Sequence, residues 1–197
     1  MKSGEIAAKH KDVDPFLLKK WDRVFSYFFD QNATHDLTWD DFFMVVKKVK
    51  GIYGAESNQM DYARKTMKAL WQGLADHADL DHNKIINLDE WVTLLKAHND
   101  PKKPVPDWFH QYLTFLFKLF DVSEDHKLDL AEYTDGMSAY GFDEDDSHSA
   151  FKSFALDKKG KPVKDIDFET WRNYWHDYFY STDPKAVGNN IFGILEL

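Results

Sequence analysis

Apolar residues recur along this chain at the spacing of one helix face, in runs that polar turns cut short. Asp14-Pro15 reads as a helix N-cap with proline at the first helical position, and Leu17, Leu18, Trp21, Phe25 and Phe28 follow it. Together they predict a helix over residues 15–29. The same period predicts helices from Trp39 to the Gly51–Gly54 stretch, over 59–78 (Tyr62, Met67, Leu70, Trp71, Leu74) and over 88–97. Asn99-Asp100-Pro101-Lys102-Lys103-Pro104-Val105-Pro106 then breaks the pattern. Beyond it helices are predicted over 107–120, 130–140 (stopped by Gly141), 144–155 and 168–180. Eight helices in four pairs form an internal repeat, and no strand-like alternation of any length interrupts it. The expected class is all-α. The expected division is a polar, mobile arm over 1–12, a first half over 13–98, a Pro-rich linker over 99–106, a second half over 107–182, and a tail over 183–197 that packs on the core.

Composition narrows the chemistry. Among 197 residues, 34 acidic against 25 basic side chains leave a net charge of −9. Such a balance argues against a nucleic-acid partner, which needs a basic face, and suits cations. The absence of cysteine excludes disulfides, Cys-type zinc sites and thiol catalysis. Met1-Lys2-Ser3-Gly4-Glu5 has no apolar run behind it, and Leu113–Phe120 is too short to span a bilayer, so the expectation is a cytoplasmic protein without a transmembrane segment. Aromatics make up 16% of the chain while methionines number only 5, which suggests a rigid, closed core rather than an adaptable Met-rich groove.

The segments between paired helices carry the chemistry. A twelve-residue loop binds calcium through oxygens at positions 1, 3, 5, 7 (a backbone carbonyl), 9 and 12, with an apolar residue at position 8 turned inward. The loop from Asp121 supplies Asp121, Ser123, Asp125, the Lys127 carbonyl, Asp129 and Glu132, with Leu128 inward and Tyr133 following. The loop from Asp79 supplies Asp79, Asp81, Asn83, the Ile85 carbonyl, Asn87 and Glu90, with Ile86 inward and Trp91 following. The loop from Asp30 supplies Asp30, Asn32, Thr34, the Asp36 carbonyl, Thr38 and Asp41, with Leu37 inward and Phe42 following. Its last ligand is Asp, one methylene shorter than Glu, which favours magnesium there. A fourth loop, aligned by Ile166 at position 8 and Trp171 after position 12, has Lys159, Lys161 and Thr170 where ligands belong, and is expected to hold no ion. At position 6, where a left-handed turn favours glycine, the three intact loops carry His35, Lys84 and His126. Counting acidic ligands ranks affinity as third loop, second, then first.

Four helix-loop-helix units, a degenerate fourth loop and the closing Gly188-Asn189-Asn190-Ile191-Phe192-Gly193-Ile194-Leu195 resemble the invertebrate sarcoplasmic calcium-binding proteins, most of all their calexcitin group. The likeness runs from about Val13 to the C-terminus. It implies four EF-hands in two packed pairs within a compact monomeric globule, three bound Ca²⁺ ions, and calcium buffering or signalling with a possible protein or membrane-channel partner. Two alternatives stay open. An insect branch of this family is described as a juvenile hormone diol kinase, yet the chain has no phosphate-binding Gly-x-x-x-x-Gly-Lys-Ser/Thr, only Gly160-Lys161 in the fourth loop. Coelenterazine-binding proteins and photoproteins resemble the fold, so Trp108, His110 and Tyr112 with Trp175, His176 and Tyr178 are candidates to line a cavity for a small apolar ligand. The photoproteins depend on a C-terminal proline, which Leu197 is not.

Overall fold

The computed structural model describes residues 3–99 and 106–195. The expected linker lies mostly outside them, at 100–105. Among the described residues nine α-helices form: α1 (Ser3–Lys9), α2 (Pro15–Val24), α3 (Trp39–Tyr53), α4 (Asn58–Ala78), α5 (Leu88–His98), α6 (Asp107–Phe120), α7 (Leu130–Ser138), α8 (Glu144–Phe154) and α9 (Phe168–Tyr180). The eight expected helices are all there, and α2 continues as a π-helical turn over Phe25–Phe29. The all-α reading holds. The four strands among the described residues, β1 (Asp36–Leu37), β2 (Ile86–Asn87), β3 (Lys127–Asp129) and β4 (Asp165–Asp167), have two or three residues each and are too short to show as alternation in the sequence.

The arm expected to be mobile contains α1. Its one large apolar side chain, Ile6, gives no periodic signal, yet it is only 3% exposed. The carboxylate of Asp89, on α5, accepts from Lys9 and lies 2.8 Å from Nε2 of the buried His10. Burial pushes Asp89 upward, but the hydrogen bonds and charges of Lys9 and His10 outweigh it and hold the group below the ordinary carboxylate value.

The chain falls into two compact units that divide inside α6, one up to Tyr112 and one from Leu113. Each unit pairs two helix-loop-helix hands by a short antiparallel ladder. In the first, Leu37 faces Ile86; in the second, Leu128 faces Ile166. All four side chains are 3% exposed or less, so the inward residue of each loop is also the hinge of its pair. The aromatic one residue past each loop lies in the core (Phe42, Trp91, Tyr133, Trp171). In both units the tryptophan of the second hand donates its indole N–H to a carbonyl in the first hand's leading helix, Trp91 to Trp21 at 3.0 Å and Trp171 to Leu113 at 3.1 Å. A buried indole needs that partner, and the bond clips one hand to the other.

The tail closes the second unit. Phe192 packs its ring against Trp175 and Tyr178, and the Tyr133 hydroxyl donates to the Ile191 carbonyl at 3.1 Å. The chain turns toward α9 at Gly188, where a Cβ would sit 2.4 Å from the Tyr174 carbonyl oxygen, so glycine is required for that approach.

Candidate metal centres

Loop 1 (30–41), loop 2 (79–90) and loop 3 (121–132) are built by one set of backbone hydrogen bonds. The aspartate at position 1 ends the preceding helix and takes two N–H groups on its two carboxylate oxygens. Asp30 accepts from Thr34 and His35, Asp79 from Asn83 and Lys84, and Asp121 from Asp125 and His126, all at 2.9–3.1 Å. These bonds curl the chain around the carboxylate and hold two left-handed residues per loop. Position 6 is left-handed at His35, Lys84 and His126 (φ 65° in each), as expected. Position 4 is left-handed too, at Ala33, His82 and Glu124. Sequence reading missed position 4, because no glycine marks it. Each such residue costs roughly 1–2 kcal/mol, which the fixed carboxylate offsets.

The acid at position 12 staples loop to helix. Glu90 accepts from Leu80 N–H at 3.1 Å and Asn87 N–H at 3.0 Å; Glu132 accepts from Ser123 at 2.9 Å and Asp129 at 3.3 Å; Asp41 accepts from Asn32 at 3.2 Å and Thr38 at 2.8 Å. Thr38, Asn87 and Asp129, at position 9, are the N-caps of α3, α5 and α7, and each forms a reciprocal capping box with the acid three residues on.

Two sets of three carboxylates have ligand oxygens within 4.8 Å of one another: Asp79, Asp81 and Glu90, and Asp121, Asp125 and Glu132. Hard oxygens around one point, with the position 1 aspartates buried, suit a hard divalent cation. Asn83 lies against Asp81, its amide nitrogen 2.9 Å from Asp81 Oδ2. Asp129, the remaining acid among the candidate ligands of loop 3, is placed differently. Its side chain accepts from Glu132 N–H at 3.0 Å as a helix cap and stands outside the carboxylate set. The carboxylates gathered in loop 3 thus equal in number those gathered in loop 2, three in each.

Loop 1 gathers uncharged oxygens instead. The Thr34 hydroxyl donates to Asn32 Oδ1 at 2.6 Å and lies 3.0 Å from the Asp36 carbonyl, so three candidate ligands meet beside Asp30 and Asp41. Burial pushes Asp41 above the ordinary carboxylate value of 3.8; the N–H groups of Thr38 and Asn32 pull it back, and the charge of Asp30 adds to the rise.

The fourth loop is longer than the sequence alignment allows. Its leading helix ends at Phe154, and Ala155 adopts the backbone angles of Asp30 and Asp79 at position 1 (φ −73°, ψ 71°). The following helix starts after its N-cap Asp167, so the loop spans 155–170, sixteen residues against twelve in the other three. The extra residues form a turn in which the Asp157 side chain accepts from Lys159 and Lys161 N–H at 2.7 and 2.9 Å. Position 1 is therefore held by Ala155, not Lys159, and Gly160-Lys161 belongs to that exposed turn. Counting back twelve residues from Trp171 missed the insertion. Of the candidate cavity residues, His110 and His176 are exposed, while Trp108, Tyr112, Trp175 and Tyr178 are buried core.

No family model matches the chain. It is 54% identical over 192 residues to calexcitin-1 of Caenorhabditis elegans, covering 98% of this chain and 93% of that protein. The chain belongs to the sarcoplasmic calcium-binding protein family, in its calexcitin group. Sarcoplasmic calcium-binding proteins I, III and IV of Branchiostoma lanceolatum are 25% identical over 92% of this chain and 98% of theirs. The structure of a sarcoplasmic calcium-binding protein from amphioxus superposes with a TM-score of 0.79 at 20% identity, over 93% of this chain and all of the other, which shows a shared fold. None of these calexcitin and sarcoplasmic relatives is an enzyme by name, in keeping with the non-enzymatic reading. Among the described residues no helix is long and apolar enough to cross a membrane.

Proposed function

We propose that this calexcitin-group chain is a cytosolic, monomeric calcium-binding protein that takes one Ca²⁺ in loop 2, one in loop 3 and a third ion in loop 1, where magnesium competes. The observation that carries this reading is the pair of three-carboxylate sets, each already gathered within 4.8 Å. Two carboxylates and several neutral oxygens in loop 1 support weaker and less calcium-selective binding. Three calcium ions would change the formal charge from −9 to −3 and relieve repulsion among the acidic loops. Binding that is confined to the folded state stabilises it by about 2.7 kcal/mol at an ion concentration 100 times Kd. The aromatic cores, with Trp21, Trp91, Trp171 and Trp175 fully buried, support a buffer-like protein that changes shape modestly rather than one that opens a groove. A protein or membrane-channel partner remains part of the signalling form of this proposal.

The test is a calorimetric calcium titration of demetallated protein at cellular magnesium concentration. Two strong events and one weaker event, the last suppressed by magnesium, are expected. Absence of heat overturns the reading; two events unaffected by magnesium overturn the part that concerns loop 1.

A further inference from the structure

The N-terminal segment is tied to the first turn of α5 by Lys9 and His10, which meet Asp89. Asp89 occupies position 11 of loop 2, one residue before the ligand Glu90. Glu90 faces the loop and holds Leu80 and Asn87. Asp89 is held from the N-terminal side: Lys9 and His10 share its two carboxylate oxygens, and His10 is only 6% exposed. Two turns further along α5, Lys96 pairs with Asp12. Residues seven apart lie on one helix face, so Lys9, His10 and Asp12 run along a single side of α5. Ile6 and Val13, 3% and 7% exposed, anchor the segment by apolar burial, and N–H bonds from His10 to Ile6 and from Val13 to His10 fix its path. Among the described residues the other loops have no such tie at position 11. Asp40 and Ala131 are exposed there, and among the described residues Glu169 pairs with Arg172 on its own helix.

We infer that residues 3–13 form a strap whose docking on α5 is coupled to the metal occupancy of loop 2. This rests on the reading of loop 2 as a calcium site. The physical reason is ordering. To place two oxygens on one ion, Glu90 needs its helical turn held still, and a turn already gripped through Asp89 has less freedom to lose on binding. The docked strap therefore tightens loop 2, and by reciprocity calcium in loop 2 tightens the strap by the same factor. An empty loop 2 releases the segment to exchange and proteolysis, which makes exposure of the N-terminal helix a readout of calcium level.

The experiment uses the full chain with Lys9→Ala and His10→Ala together, and Lys11→Ala, an exposed neighbour, as a charge control. Amide resonances of Lys84 and His126, whose N–H groups bond Asp79 and Asp121, follow calcium binding in loops 2 and 3 separately. The double variant is expected to weaken calcium at Lys84 by about fivefold or more, the lower end of ordinary coupling, and to leave His126 within twofold. Loss of a cation beside an acidic loop would by itself strengthen calcium binding, so weakening cannot be a charge effect. Hydrogen exchange at residues 6–10 is expected to slow on calcium addition in the parent chain and not in Glu90→Gln. Unchanged affinity at Lys84 overturns the strap while calcium binding stands, and so does equal weakening in both loops, which reports general destabilisation. No calcium response at Lys84 in the parent chain overturns the loop 2 site and the strap with it.

Discussion

The pair of loops 1 and 2 and the pair of loops 3 and 4 are built on the same frame, yet the first pair gathers ligand oxygens in both members and the second in only one. In each pair an apolar residue from either loop meets its partner across a two- or three-residue ladder, an N-cap follows, and an aromatic enters the core. Loop 4 keeps all three features: Ile166 on the ladder, Asp167 as N-cap, Trp171 buried. It has lost the position 1 carboxylate and gained four residues. The frame therefore depends on burial and capping, and the ion depends on a separate set of carboxylates. Loop 4 serves its neighbour as the second half of a ladder, and Asp165 adds an ion pair to Lys127 at 3.2 Å.

If that separation is right, cutting the frame costs more than cutting a ligand. Leu128→Ala removes a fully buried side chain from the ladder, and a loss of ~2–5 kcal/mol in unfolding free energy is expected. Denaturation in chelator measures it, and calcium affinity of loop 3 should fall although every ligand is intact. An affinity that does not move would detach the ladder from the site. Next in size is Glu132→Gln, which keeps the helix start but supplies one neutral oxygen for two anionic ones. Calcium at loop 3 should weaken beyond the ~10–100-fold that outer-shell partners of metal sites cost, while loop 2 holds its affinity. Calorimetry with the Lys84 and His126 amides as reporters separates the two. Loop 3 affinity equal to the parent's would sink its ligand assignment.

How far the sequence reveals this frame follows from which features leave a mark. Helices with three or more buried apolar turns, such as α4 and α9, repeat their period often enough to be located within a residue or two. Ile6 gives α1 no period at all, and its burial comes from tertiary contact. The twelve-residue spacing marks loops 1–3 because most of the expected ligands are side-chain types at fixed offsets. The same counting failed in loop 4, because an insertion leaves Ile166 and Trp171 in place and shifts only what precedes them. Asp129 marks another limit of counting: position 9 serves as helix cap and as ligand position, and composition does not distinguish the two uses.

Smaller effects probe the backbone. His126 holds φ 65°, and its ring lies 3.8 Å from Asp121. His126→Gly removes a left-handed cost of roughly 1–2 kcal/mol and adds about 0.4–1 kcal/mol of unfolded-state freedom, so a net gain of roughly 0–1.6 kcal/mol is expected in chelator. Destabilisation would mean that Asp121 draws more from the histidine ring than the turn loses to strain. In loop 1 the corresponding handle is pH. Burial pushes Asp41 above 3.8, so its ionised form is disfavoured by folding. The group costs stability at neutral pH, and the cost is relieved as pH falls through the raised value toward 3.8. A carboxyl-carbon NMR titration of calcium-free protein should place its midpoint above 3.8, and calcium should lower it. A calcium-free midpoint at or below 3.8 would contradict the buried, ion-ready geometry.

The smallest expected effect decides how loop 4 departs from the others. Aligned by counting, Lys159 occupies position 1, and Lys159→Asp would begin to rebuild a site. In the folded chain Lys159 lies at an exposed turn, its N–H held by Asp157, and the backbone of position 1 belongs to Ala155, which is 2% exposed. An aspartate at 159 would point its charge into solvent, four residues beyond the helix-end position where Asp30, Asp79 and Asp121 each collect two N–H groups. Lys159→Asp should therefore leave the number of calcium events unchanged and stability within about 0.5 kcal/mol, as for other surface substitutions. An added calcium event in the titration would restore the twelve-residue alignment and make the insertion irrelevant. With none, the loss of the fourth site lies in the insertion and in Ala155, and the lysines are what an exposed turn could accumulate once no ion had to be held.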